Sequence, residues 1–359
     1  MPITAVDTIT PAFQHTKEQL LQPFRFGQWV RLAFVGLLAG ELGSGGSSFR
    51  SAVNSQHQGS SGHFPSEIFK NIDPALLAAV IAALIVTGFV FFIVMTYISS
   101  VMRFILFDSV LYKNCRIGAG WNRRQGPGWH YFLWQLGFMF FVAGAFIIFL
   151  GIPAAFAFGM GWFSAPREHL LPLILGGIIL FFILVVLAIA AAVVHVLTKD
   201  FVVPQMALEN IGVIEGWRRL WPMIQVEKGG YAAYVAMKIV LAIVAGIITG
   251  IASFILILVI ALPAAAVGIA AIVGGKTAGL TWNVFTITAA VVAGCILFAV
   301  VMFLVSLISV PVIVFFPAYA MYFFAGRYQP LAIALAPPPA PAVNPGGSWS
   351  PETPPPAPA

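Results

Sequence analysis

The sequence predicts an all-α, polytopic membrane protein of about six transmembrane helices, and three observations carry that expectation. Hydrophobic residues fill 60% of the 359 positions and charged residues 8%, against roughly 25% charged in a soluble domain. The apolar residues come in long runs, and about 20 such residues are needed to cross a hydrocarbon core about 30 Å thick. These runs are apolar on every face, whereas strands of a membrane barrel alternate apolar and polar residues.

In chain order, residues 1–25 read as an interfacial segment on the cytoplasmic side. Thr10 and Pro11 form a helix start. Phe13, Leu20, Leu21 and Phe24 can then share a face, which predicts a short helix lying on the membrane surface; a frayed tail is the alternative. The first span, 26–42, is short and carries Arg31 and Glu41 near its ends. Residues 43–73 form an external loop, rich in Gly and Ser over 43–63. Its Gly43, Gly45 and Gly46 lack the lysine and hydroxyl residue of a phosphate-binding loop.

Five stronger spans follow at 75–98, 131–151, 171–197, 232–261 and 284–308, within a transmembrane domain of 26–330. Pro153, Gly159, Gly161 and Pro166 turn one hairpin, and Gly274, Gly275 and Lys276 the other. The run from Tyr231 to Val273 would be about 65 Å long as one helix, which predicts a kink or break at Pro263. Amphipathic stretches at 104–124 and 201–224 read as interfacial elbows. The tail, 331–359, is proline-rich from Pro337 and reads as extended and disordered.

The net charge of +6 would suggest nucleic acid in a soluble protein. Here it reads as topology, because Lys and Arg collect on cytoplasmic loops. Six spans with both termini inside put Lys17, Arg25, Arg103, Lys113, Arg116, Arg123, Arg124, Lys199, Arg218, Arg219, Lys228 and Arg327 on one side, and Arg50, Lys70, Arg167 and Lys276 on the other. Membrane lipids, a membrane-protein partner or a second copy are therefore the expected partners, and nucleic acid is not.

The two elbows resemble each other. Residues 114–124 read NCRIGAGWNRR and 210–220 read NIGVIEGWRRL, pairing Asn114 with Asn210, Gly120 with Gly216, Trp121 with Trp217 and Arg123 with Arg219. Two spans separate them, so the repeat is parallel. Tryptophan favours the headgroup level, and each basic residue near an anionic leaflet gains about 1 kcal/mol. Arg123, Arg124, Arg218 and Arg219 with Trp121 and Trp217 are accordingly the candidate lipid-headgroup site, with ordinary membrane anchoring as the plainer reading. Gly137, Gly144 and Gly151, and Ala242, Gly246 and Gly250, form small-residue stripes suited to close helix packing.

Chemistry is sparse. The ionisable residues read as intramembrane are Arg31, Asp108, His195 and Lys238, with Asp108 placed to pair with Arg103 or Lys113. The five strong spans carry no Asp or Glu at mid-depth, which weakens ion-coupled transport. The histidines lack metal-ligand spacing, Cys115 and Cys295 lie at different levels, and no serine sits in a nucleophile elbow. No cofactor, metal or catalytic activity is expected.

The segments TKEQLLQPFRFGQWVRLAFVGLLAG, NCRIGAGWNRRQGPGWHYFLWQL, DFVVPQMALENIGVIEGWRRLWPMI and AAYVAMKIVLAIVAGIITGI resemble an uncharacterised family of bacterial and archaeal multi-pass membrane proteins. That family looks distantly related to the membrane domain joined to some glycerophosphoryl diester phosphodiesterases. The resemblance covers about 15–330 and implies a helical fold in a prokaryotic cytoplasmic membrane, with no catalytic residues to carry over. The expected role is lipid interaction, membrane organisation or service as a partner subunit. The alternative is a carrier for a small or lipidic solute, needing a cavity lined by groups such as Thr249, Ser253, Thr286 or Ser306.

Overall fold

Backbone polar groups in hydrocarbon must bond within their own segment, which leaves the helix as the form for these apolar runs. A computed structural model describes residues 4–41, 74–162, 167–277 and 284–335, and among them there are helices and no strand. The helices are α1 (Ile9–Leu21), α2 (Phe26–Leu38), α3 (Pro74–Leu111), α4 (Ile117–Gly159), α5 (Leu170–Leu197), α6 (Val203–Glu209), α7 (Val213–Val226), α8 (Lys228–Thr277), α9 (Val284–Ala325) and α10 (Gln329–Leu335). A π-helical segment, Thr198–Val202, joins α5 to α6. Five of the helical stretches are long and apolar enough to cross a membrane: Ala78–Leu111, Ile117–Gly159, Leu170–Glu209, Lys228–Ala271 and Thr286–Ala325.

Several expected boundaries are corrected. The helix over the first expected span has 13 residues, about 20 Å, which is shorter than the hydrocarbon thickness. It starts beside the C-terminal end of α3, where Gln28 donates to Lys113 O at 2.8 Å, and ends partway up the bundle. The 104–124 stretch is not one element. Its first half closes α3, and its second half runs without a break into α4, through Gly126, Pro127 and Gly128. Close packing explains the continuity: a Cβ at Gly128 would lie 2.7 Å from the Val101 side chain. Likewise α8 continues through Pro263 and past Gly274, Gly275 and Lys276. The external loop and the proline-rich tail from 336 lie outside the described residues.

The buried core occupies one end of the molecule. It is built from the last turns of α3, the π segment with α6, and the last turns of α9, closed by α1 and α2. Phe201 is fully buried and packs its ring against Tyr231, Tyr234, Phe323 and Phe324, with centroids 5.0 to 5.8 Å away. Helix α2 docks on α9 where Gly36 leaves room for Ile313; an added Cβ would lie 2.6 Å from it. Trp29 Nε1 donates to Leu307 O at 2.9 Å and Ser306 to Ala33 O at 2.6 Å. Ser306 is thus a staple between helices.

Helix α1 is the reverse of a soluble amphipathic helix. His15, Thr16 and Gln19 are buried, while Phe13, Leu21 and, beyond its end, Phe24 are exposed. The polar face has work to do, because the last carbonyls of α3 lack intrahelical partners. His15 Nε2 bonds Val110 O at 2.8 Å and Gln19 donates to Ser109 O at 2.9 Å. The outward apolar residues suit an interfacial position.

The turns before α4 and α7 each contain a residue with positive φ, Lys113 (φ 53°) and Asn210 (φ 55°). Gly120 then packs on Ile105 and Gly216 on Val202, where an added Cβ would come within 3.1 and 2.6 Å. Ile105 precedes Lys113 by the same interval as Val202 precedes Asn210. The turn before α4 is one residue longer, so Lys113 rather than Asn114 shares the backbone conformation of Asn210.

Away from this end the helices face outward. The most apolar windows of the five long helices are 0% buried, except 6% in α9. Gly137, Gly144, Gly151 and Gly250 have nothing within 4 Å of an added Cβ, so these small residues do not form contacts between helices of this chain.

Candidate functional site

The site is a cluster of five largely buried ionisable side chains at the core end. Asp200 and Lys199 come from the π segment, Lys238 from α8, Arg103 from α3 and Glu41 from the residues just after α2. A π turn adds a residue to the helical turn and commonly marks functional positions. Here the side chains of the consecutive pair Lys199 and Asp200 are both directed inward, 13% and 4% exposed.

Two ion pairs organise the cluster. Lys199 bonds Glu41, and Lys238 bonds Asp200. Tyr234, one helical turn before Lys238, donates to Asp200 Oδ2 at 2.8 Å. The Lys238 ammonium also stands over the Tyr234 and Phe316 rings, 5.9 and 6.0 Å from their centroids, a favourable cation–π arrangement. Arg103 differs: among the described residues it has no carboxylate in contact. It donates to Tyr131 Oη at 2.7 Å and to Ala39 O at 3.1 Å. Ala39 caps the C-terminus of α2, where the partial negative charge of a helix end lies. The Arg103 Nε is buried without a hydrogen-bond partner.

A cavity of about 30 Å³ adjoins these groups, lined by Glu41, Arg103, Lys199 and Asp200 and by apolar residues including Phe107, Val203 and Met321. It has room for a water-sized occupant. Thr249, Ser253, Thr286 and Ser306 do not line it; Thr249 bonds Ala245 O of its own helix at 2.7 Å. His195 lies one turn before Lys199, half-buried, within electrostatic reach of Arg103, Lys199, Asp200 and Glu41. Among the described residues, no three His, Cys, Asp or Glu converge as metal ligands.

The expected headgroup residues do not form one site. Arg124 is buried, paired with both Asp108 oxygens at 2.6 and 2.7 Å, and donates to Ala207 O at 2.7 Å. It locks α4 to α3 and α6 and is closed to lipid, and Asp108 pairs with it rather than with Arg103 or Lys113. Lys113 pairs with Glu18 at 2.7 Å. Arg219 is tied to Glu209 and Glu215. Trp217 donates to Thr198 Oγ1 at 3.1 Å, and Trp121 packs edge-on against Tyr97. Arg123 is exposed, and Arg218 is 79% exposed with a 2.8 Å contact to Glu215. Arg31 reaches Cys115 O at 3.5 Å.

Sequence reasoning missed Glu41, Lys199 and Asp200 as parts of a site. Glu41 stands near the end of the short first span and Lys199 among the expected cytoplasmic charges, yet the stretch after Asp200, FVVPQMAL, is apolar enough to continue the helix into the core.

Helices without strands among the described residues, five of them long, apolar and outward-facing, and a polar cluster at one end are the features of a multi-pass helical membrane protein. The chain belongs to the family of unknown function DUF7544, which matches residues 3–334. No curated protein and no solved structure matches it.

Proposed function

We propose that this chain is a non-catalytic protein of a prokaryotic cytoplasmic membrane that works through contact with lipid, organising the bilayer or serving as a partner subunit. One observation carries this reading: the core is confined to one end, while the most apolar helical surface is left to face acyl chains or a neighbour in the membrane. The charge distribution supports placing that end, and both termini, on the cytoplasmic side. On α7, exposed Ile214, Trp221 and Val226 accompany exposed Arg218, the composition of a helix at the headgroup level. We infer that the elbows descend from a parallel duplication, since their positive-φ turn residues and glycine contacts match.

The headgroup contacts then fall to Arg123 and Arg218 rather than to the buried Arg124. Purification in lipid nanodiscs followed by mass spectrometry tests this. Arg123→Gln with Arg218→Gln should lower anionic-lipid content, and unchanged content would remove the headgroup role.

The end of α2 beside buried charges favours a second reading, a carrier, because interrupted helices ending at mid-depth are a transporter device. Proteoliposomes that move neither halide nor protons would remove the ion-carrier form of it.

A further inference from the structure

We propose that the cavity beside Arg103 is a binding site for a single small inorganic anion of halide size. Among the described residues, three cations (Arg103, Lys199 and Lys238) face two carboxylates (Glu41 and Asp200). Each carboxylate already holds a lysine in direct contact. The excess positive charge therefore rests on Arg103, whose side-chain partners are a phenol and a backbone carbonyl. The end of α2 offsets about half a charge. The remainder is buried, with Arg103 only 8% exposed, and excess buried charge favours a counter-ion.

The unpartnered Arg103 Nε is a donor in want of an acceptor, and the adjoining cavity of about 30 Å³ is bounded by Arg103 and Lys199. A halide fits that volume and supplies both the acceptor and the charge. A water supplies only the acceptor. The carboxylates bordering the cavity do not exclude an anion, because each is neutralised by its lysine. This inference is independent of the lipid reading.

The test uses the full-length protein in detergent. Thermal unfolding is followed by tryptophan fluorescence while bromide replaces gluconate at constant ionic strength. A saturable rise in Tm is expected, because a ligand that binds only the folded state stabilises it by mass action. Arg103→Gln should abolish the rise. Glu41→Gln, which enlarges the positive excess, should lower the bromide midpoint by about tenfold. No saturable halide effect on the wild type overturns the proposal, whether or not the variants fold. So does an equal effect in Arg103→Gln, which would place the ion elsewhere, or a crystal soaked in bromide without anomalous density beside Arg103.

Discussion

Arg103 and Asp200 stand at the same interval ahead of the left-handed residues Lys113 and Asn210, and each is hydrogen-bonded to a tyrosine of a following helix. Positions at matching intervals thus carry opposite charges. The tyrosines, Tyr131 and Tyr234, tie each charge to the helix that returns through the bundle.

Removing Lys238 leaves Asp200 buried with Tyr234 as a donor but no cation in direct contact. Lys238→Met should destabilise the protein by about 3–5 kcal/mol, measured by denaturation in mild detergent. Adding Asp200→Asn should recover most of the loss, because the orphaned carboxylate disappears.

The elbow arginines should separate sharply. Arg124→Gln breaks the enclosed pair with Asp108 and should cost about 3 kcal/mol. Arg218→Gln acts on a solvent-facing contact and should change stability by less than about 1 kcal/mol. Comparing their unfolding midpoints checks both.

Glycines offer a second contrast. Gly216→Ala brings a Cβ to 2.6 Å from Val202 and should cost about 1–3 kcal/mol through overpacking. Gly144 has open space around it, so Gly144→Ala should be neutral or stabilising by up to about 1 kcal/mol. The same melting assay reads both.

Stability should fall on acidification in two stages. Burial depresses His15 below its ordinary 6.5, so the unfolded chain takes up a proton first. Stability therefore drops as pH falls through 6.5 and levels off beneath the folded-state value. Arg327 holds Glu227 below its ordinary 4.5, so that contribution is complete above 4.5 and is lost as pH falls through the depressed value. A pH series of melting curves should show both stages, and His15→Gln should erase only the upper one.

The long helices were legible because hydropathy is summed over many residues, and no single substitution hides it. The charge cluster was not, because its members lie far apart in sequence and meet only on packing. Lys199 and Asp200 look like the loop end of a span until Phe201 to Leu208 are seen to continue into the core. Arg124 illustrates the converse: next to Arg123 it reads as a surface charge, and only the facing Asp108 shows it to be enclosed. The Gly-Pro-Gly run at 126–128 would interrupt a soluble helix, yet here it permits close approach to Val101.

The docking of α2 on α9 sets the order of assembly. Gly36 and Trp29 have no seat until Ile313 and Leu307, far later in the chain, leave the ribosome. The amino-terminal segment must therefore wait, half-dressed, while four membrane helices are inserted, and any truncation before the last one should leave it open to proteolysis or to a membrane chaperone.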